Sequence, residues 1–378
     1  MRIALFCNDY WPTIGGVQTA VRGLAAGLVR RGHEPLILTC QPGGCAPAEE
    51  LDGIPIRRFS WSLRPPATFP FRAWRTRRQV REAVLGWRPE ALYVHFVTVP
   101  ALFARSCALV AGAPLILSFR GAEVMQLAPR DPVTGRVFSG LTGAADVNLF
   151  CSRWLESVGR ASGWFRGRPG RVGVLADAVA VEPRTTPDLP ATVCYVFAGG
   201  RMVRKKGFDL LLRAWAALGS RVRAPLWIAG DGEERAALER LARELGLGDR
   251  VRFLGSVPHA EMLGLLERAA LCVVPSREEP YGILVVEAQA LGVPVVATGV
   301  GNIPALIDAG RTGYLAEPTP EGLARVIAAA WEDPRRPEIG SSGRDAPGAR
   351  RGYDTMAGEL EQWIEVARSG PGKAGSWT

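Results

Sequence analysis

The 378-residue chain predicts an α/β protein made of two doubly wound parallel sheets. Short aliphatic or β-branched runs alternate with helix-patterned segments from end to end, the pattern of parallel strands covered on both faces. Eleven such runs exceed what one ordinary sheet holds. A polar, proline-bearing stretch at 176–191 divides them about equally.

In the first half, strands are expected at 2–7, 34–40, 54–59, 91–96, 113–118 and 145–150. In the second they are expected at 192–198, 225–229, 250–254, 270–274 and 293–297. Helical spacing fills the gaps, as with Val17, Val21, Leu24, Ala25 and Leu28 after the first strand. Residues 334–352, rich in Pro, Gly, Arg and Ser, read as a surface connection before a helix at 353–368. A frayed tail with Gly370, Pro371, Gly372 and Gly375 closes the chain. The expected domains are therefore 1–180 and 181–352, with 353–378 as a terminal helix and tail.

A composition 47% hydrophobic and 22% charged excludes a disordered chain. No apolar run reaches the roughly 18 residues that cross a bilayer. The apolar start ends at Asn8 and Asp9, too soon for a signal peptide. The seven cysteines form no Cys-x-x-Cys pair, and Cys7, Cys107, Cys194 and Cys272 sit in apolar runs as small buried hydrophobes. A reducing cytoplasm is expected, with neither a disulfide framework nor a zinc site.

The net charge of +9 is uneven: residues 1–180 hold 22 arginines against 12 acids, a balance of +10, and the remainder is −1. Segment 57–88 alone carries nine arginines against Glu82, interleaved with Phe59, Trp61, Phe69, Phe71, Trp74 and Trp87. Such a segment suits an anionic membrane surface, and a solvated arginine face is the equal alternative. Nucleic acid is set aside because no binding signature accompanies the charge.

Three motifs carry chemistry. Gly15-Gly16 follows the first strand and opens a helix, where backbone can approach a ligand and free N–H groups meet an anion. Taken alone, such a pair reads as a tight turn, and it is not the dinucleotide fingerprint. The loop Gly199-Gly200-Arg201-Met202-Val203-Arg204-Lys205-Lys206-Gly207 again lies between a strand and a helix, and holds two of the three lysines in the chain. Cations at the carboxyl end of a strand suit a diphosphate, and Arg201 and Lys206 are the candidates, with Arg204 and Lys205 as solvated loop charges.

The sharpest motif runs from Pro275 through Glu279 and Gly282 to Glu287. Amides of Gly282, Ile283 and Leu284 point from a helix N-terminus toward phosphate or sugar oxygens. Glu287, five residues on and about 7.5 Å along the axis, reaches as far as a nucleotide ribose. It sits in a mostly apolar helix, where a buried carboxylate requires a hydrogen-bonding partner.

With these motifs in order, the chain resembles the retaining glycosyltransferases of family 4, the "group 1" glycosyltransferases, with a GT-B fold. The resemblance spans Gly15–Glu34, Gly230-Asp231-Gly232, Val251–Gly255, Gly292–Ala297 and Ala316–Pro318, and Glu279 and Glu287 form the family's E-x7-E motif. It implies two Rossmann-like domains facing a cleft, and a terminal helix that returns to the first. It implies that Arg201 and Lys206 hold the donor diphosphate and Glu287 the ribose. Glu279 and the amides after it would hold the sugar, Gly16 would approach the phosphates, and backbone about Val257 would meet the base. The family's His-Gly appears here as Arg120-Gly121, so Arg120 takes the place of a sugar-touching histidine. His95 is a second sugar or acceptor contact, or equally a structural histidine. The family's Gly-Gly-x-x-Glu loop ends in Ala305.

The implied reaction moves a sugar from a nucleoside diphosphate, UDP or GDP first, to an acceptor hydroxyl with retention. Cations neutralise the leaving group, so no metal or other cofactor is expected, and there is no Asp-x-Asp motif. The acceptor is expected to be a glycan, a lipid-linked glycan or a small metabolite, and the place of work cytoplasmic, with the inner membrane face as an option. A sugar-nucleotide epimerase or hydrolase, or a non-catalytic sugar-nucleotide-binding subunit, are the competing functions.

Overall fold

A computed structural model describes residues 1–12, 16–61, 69–127, 132–163, 165, 171–181, 184–185, 188–190 and 192–369, without the side chains of 69–73. Gly15, Phe69, Phe71 and the glycines of the tail therefore fall outside the description. The chain divides into two compact units, 1–178 with 352 onward, and 179–351.

The first unit runs β1 (Arg2–Cys7), α1 (Gly16–Arg30), β2 (Glu34–Cys40), β3 (Ala48–Leu51), β4 (Ile54–Phe59) and α2 (Phe69–Trp87). It continues through β5 (Ala91–His95), α3 (Val99–Ala111), β6 (Leu115–Phe119), a π-helical turn (Glu123–Leu127) and α4 (Pro132–Thr142). β7 (Val147–Phe150), α5 (Arg153–Ala161) and β8 (Arg171–Val174) complete its first segment. The strand order is β3-β4-β2-β1-β5-β6-β7-β8, parallel except for β3 against β4. Fully buried strands such as β5 and β6 match the continuous apolar runs of a sheet covered on both faces.

The second unit runs β9 (Val196–Gly199), α6 (Phe208–Leu218), β10 (Leu226–Ala229), α7 (Arg235–Glu244), β11 (Val251–Gly255), α8 (His259–Glu267) and β12 (Leu271–Val274). It goes on with α9 (Ile283–Leu291), β13 (Val295–Thr298), α10 (Ile303–Leu306), β14 (Tyr314–Ala316), α11 (Pro320–Glu332) and α12 (Arg336–Gly343). Its six parallel strands are ordered β11-β10-β9-β12-β13-β14, with an apolar cluster on each face. The order reverses between β9 and β12, so the loops leaving those strands flank the switch point where such sheets take ligands.

The last helix, α13 (Tyr353–Arg368), packs into the first unit. Its Met356, Ala357, Leu360 and Ile364 join Val21, Leu24, Ala25 and Leu28 of α1 in one apolar cluster. A Cβ at Gly27 would lie 2.6 Å from the Tyr353 carbonyl oxygen, so glycine lets the two helices close. Trp363 lies over Gly173 in the same way, at 2.1 Å from the Cβ that glycine lacks.

Some expectations need correction. Residues 334–352 are not a bare surface connection, because α12 packs there on α9. Its glycines permit close approach, since a Cβ on Gly340 would meet the Gly292 carbonyl oxygen at 2.5 Å. Cys194 is exposed rather than buried, although all seven thiols are free. Segment 57–88 is not wholly a surface either. Arg58 is buried, donating to the Ala46 and Trp11 carbonyls and pairing with Glu49. Trp61 stacks between Phe6 and Phe103 in the core, while Trp74, Arg75, Arg77, Arg78 and Arg81 are exposed. Among the described residues no helix is long and apolar enough to cross a membrane.

Candidate active site

In the second unit, the loop after β9 is set by backbone contacts that only glycine allows. Met202 N–H donates to the Asp231 carbonyl at 2.8 Å. A Cβ on Gly230 would lie 2.0 Å from the Gly200 oxygen, and one on Gly232 2.4 Å from the Met202 oxygen. Gly230-Asp231-Gly232 is therefore the floor on which the Arg201 loop rests. Arg201 itself is exposed and makes no ion pair among the described residues.

The loop after β12 lies against the same segment. Arg277 N–H donates to the Lys205 carbonyl at 2.7 Å, and the Arg277 guanidinium grips both oxygens of Asp209 at 2.6 and 2.7 Å. Gly207, in the left-handed region at φ 66°, sits 2.1 Å, measured from an added Cβ, from the Pro275 carbonyl. These contacts bring two of the expected residues together: Lys206 Nζ donates to Glu279 Oε2 at 2.6 Å, and Ser276 Oγ donates to the same oxygen at 3.1 Å. Glu279 is 7% exposed and Lys206 is part-exposed, so the ammonium faces outward from a buried carboxylate. From below, Gly301 (φ 59°) admits the Glu279 carbonyl, and Asn302 N–H donates to that carbonyl at 3.0 Å.

Gly282 adopts φ 109° and caps α9, whose first amides belong to Ile283 and Leu284. Those N–H groups have no intrahelical acceptor by geometry, which leaves them for an anion. One turn further, the Glu287 carboxylate is 4% exposed, and its Oε1 lies 2.7 Å from His259 Nε2. The expected partner of this buried carboxylate is thus a histidine that sequence reading passed over. Burial lowers the pKa of His259, but the hydrogen bond and charge of Glu287 overcome that and leave it raised. Val257, half-buried, lies in the loop after β11 that leads to His259.

In the first unit, Gly16 starts α1 and is exposed. His95 pairs in register with Cys7 and Ser118, is 1% exposed, and has its Nδ1 3.1 Å from the Tyr93 hydroxyl. Burial, with the Arg120 charge, holds its pKa well below the ordinary value, so the ring is neutral. Arg120 departs from the expected sugar contact. Its guanidinium donates to Asp177 Oδ1 at 2.8 Å, to the Leu175 carbonyl at 3.0 Å and to the Tyr93 hydroxyl at 2.8 Å, with only 5% of the side chain exposed. Asp177 was expected in the connecting stretch, where a charge is ordinarily solvated; it is instead the buried counter-ion that makes an interior arginine tolerable. The Arg120 and Gly121 amides donate to Glu123, whose carboxyl is fully buried and pushed up to about 7 by burial.

No group of three or more metal-capable side chains occurs among the described residues. The second unit thus presents a lysine–glutamate pair, an exposed arginine, a helix N-terminus and a second buried carboxylate at the carboxyl ends of its central strands. That arrangement suits a diphosphate linked to hydroxyl-rich groups on both sides.

Comparison with known proteins agrees with the architecture. The family model "Glycosyltransferase Family 4" matches residues 14–169, and "Glycosyl transferases group 1" matches 186–345. The chain is 32% identical over 270 residues to D-inositol 3-phosphate glycosyltransferase 1 of Catenulispora acidiphila, across 63% of this chain and 62% of that relative, so it spans less than two thirds of that protein. It is 29% identical over 368 residues to a GDP-mannose-dependent alpha-(1-6)-phosphatidylinositol monomannoside mannosyltransferase of Mycolicibacterium smegmatis, across 90% and 92% of the two chains. Anabaena HepE, solved in complex with UDP and glucose, superposes with a TM-score of 0.78 at 20% identity, over 97% of this chain and 99% of that one, a likeness of fold.

Proposed function

The chain belongs to the family 4 (group 1) glycosyltransferases, with the GT-B fold, and from that premise we propose that it moves a hexose from a nucleoside-diphosphate sugar to an acceptor hydroxyl with retained configuration. The observation that carries this reading is the Lys206–Glu279 pair, 2.6 Å apart, beside the α9 N-terminus at the switch point of the second sheet. As the bond to phosphate breaks, negative charge grows on the diphosphate and positive charge on the sugar. Lys206, Arg201 and the amides of Ile283 and Leu284 meet the first, and Glu279 meets the sugar hydroxyls. Glu287 takes the ribose, Val257 lies by the base, and Gly16 is a further candidate for a phosphate. His95 contacts sugar or acceptor, and Arg120 acts by holding the Tyr93–His95 face rather than by touching substrate. Cationic side chains carry the charge of the leaving group, so turnover is expected to survive EDTA.

We read the acceptor as anionic and lipid-linked. The relatives are named for acceptors bearing inositol phosphate or phosphatidylinositol, and the first half of this chain holds the whole basic excess. On the first unit, Trp74, Leu109 and Val133 are 59, 78 and 67% exposed, with Arg77, Arg78 and Arg81 on the same helix as Trp74, which suits a peripheral seat on an anionic bilayer. Seven free thiols suit the reducing cytoplasm.

The test is release of UDP or GDP from candidate sugar nucleotides, measured with and without phosphatidylinositol-containing vesicles. Acceptor-dependent release supports transfer. Release without acceptor makes the protein a hydrolase or epimerase, and nucleotide binding without turnover makes it a non-catalytic subunit.

A further inference from the structure

We propose that His259 is the positioning residue for ribose recognition, holding one oxygen of Glu287 so that the other is aimed at the vicinal hydroxyls of a nucleotide. The inference rests on the proposed use of Glu287 for a nucleoside diphosphate. The chain has three histidines, and two have structural partners at hand. His33 lies 3.2 Å from the N-terminal amine and 3.5 Å from Glu361, and His95 lies 3.1 Å from the Tyr93 hydroxyl. His259 instead stands at the first position of α8 and spans to α9, with Nε2 2.7 Å from Glu287 Oε1.

A glutamate has three side-chain torsions, and an untethered one must lose that freedom when it binds a diol. Here the loss is met before the nucleotide arrives, because the imidazole N–H fixes the carboxylate in one rotamer. Among the described residues only Oε1 is taken; Oε2 retains its lone pairs for hydroxyl donors. The Glu287 side chain is 5% exposed and that of His259 31%, so the pair is dry on the carboxylate side and open on the ring side. Other titratable groups near the pair are the Cys272 thiol of β12, held protonated by burial and by the Glu287 charge, and Glu261, two residues after His259 in α8. Neither offers a donor that could replace the imidazole.

The experiment titrates the wild-type chain, His259→Gln and His259→Leu with UDP, GDP and their 2′,3′-dideoxy counterparts by calorimetry. Wild type is expected to prefer the ribonucleotide. His259→Leu lowers ribonucleotide affinity by about tenfold, as loss of a hydrogen bond to a charged group does, and leaves the dideoxy form unaffected. His259→Gln restores most of the difference, because its amide donates from nearly the position of Nε2. Equal loss for both forms, or no loss in a variant whose thermal midpoint is unchanged, overturns the positioning role while the proposed function stands. A wild type that binds ribo and dideoxy forms alike removes the ribose role of Glu287 and this inference with it. A wild type that binds no nucleotide removes the proposed function as well.

Discussion

The Arg120 guanidinium lies 2.8 Å from the Asp177 carboxylate, and neither side chain is more than 8% exposed. The pair joins the end of β6 to the chain just before it enters the second unit at 179. Removing one partner leaves an uncompensated interior charge. Asp177→Ala is therefore expected to destabilise the protein by about 3–5 kcal/mol in urea unfolding, with Arg120→Met/Asp177→Leu recovering most of it. A single variant as stable as wild type would show that water reaches the arginine.

At the other unit, Lys206→Ala and Glu279→Ala are each expected to lower sugar-nucleotide turnover at least about a hundredfold, with circular dichroism unchanged. Near-normal turnover in either variant excludes that side chain from the site. Glu279→Gln separates charge from shape, since its amide keeps the size of the carboxylate and an acceptor for the ammonium but not the negative charge.

Gly301 supports Glu279 from beneath, and a Cβ there would fall 2.1 Å from the Glu279 carbonyl at a φ of 59°. Gly301→Ala is expected to lower stability by about 1–3 kcal/mol and to weaken donor binding together with it. Alanine tolerated in both assays would mean that the Glu279 backbone shifts without consequence.

Glu123 gives the protein a pH signature. Burial raises its carboxyl from 4.5 to about 7, opposed by the amides of Arg120 and Gly121. The folded state then keeps a proton that the unfolded chain has released, so this group's contribution to stability falls as pH rises from 4.5 to about 7. The ceiling is about 3 kcal/mol. The difference in urea stability between wild type and Glu123→Gln should decline across that window; a flat difference refutes the raised value.

The strands with continuous apolar runs were legible in the sequence to within a few residues, because β1, β2, β5 and β13 are buried along nearly their whole length and are built mostly from apolar side chains. Three strands were not. β3 reads Ala-Glu-Glu-Leu and exists because an edge position next to β4 tolerates charge; β8 holds Arg171 and Gly173; β14 has three residues. In α12, glycine and serine signalled a loop, yet Gly340 and Gly343 allow close approach to Gly292 and to Gln289 of α9. Glu279 and Glu287 were found by spacing along one helix and the turn before it. Asp177 and His259 were not, since each meets its partner across 57 and 28 residues of chain and carries no local pattern.

Because α13 follows the second unit in the chain yet fills a groove along α1, a ribosome delivers the first unit's closing piece only after some 170 intervening residues have emerged. Until then the side of α1 that meets Met356, Ala357, Leu360 and Ile364 lacks its cover, a sticky seam open to a chaperone or to the neighbouring polysome chain.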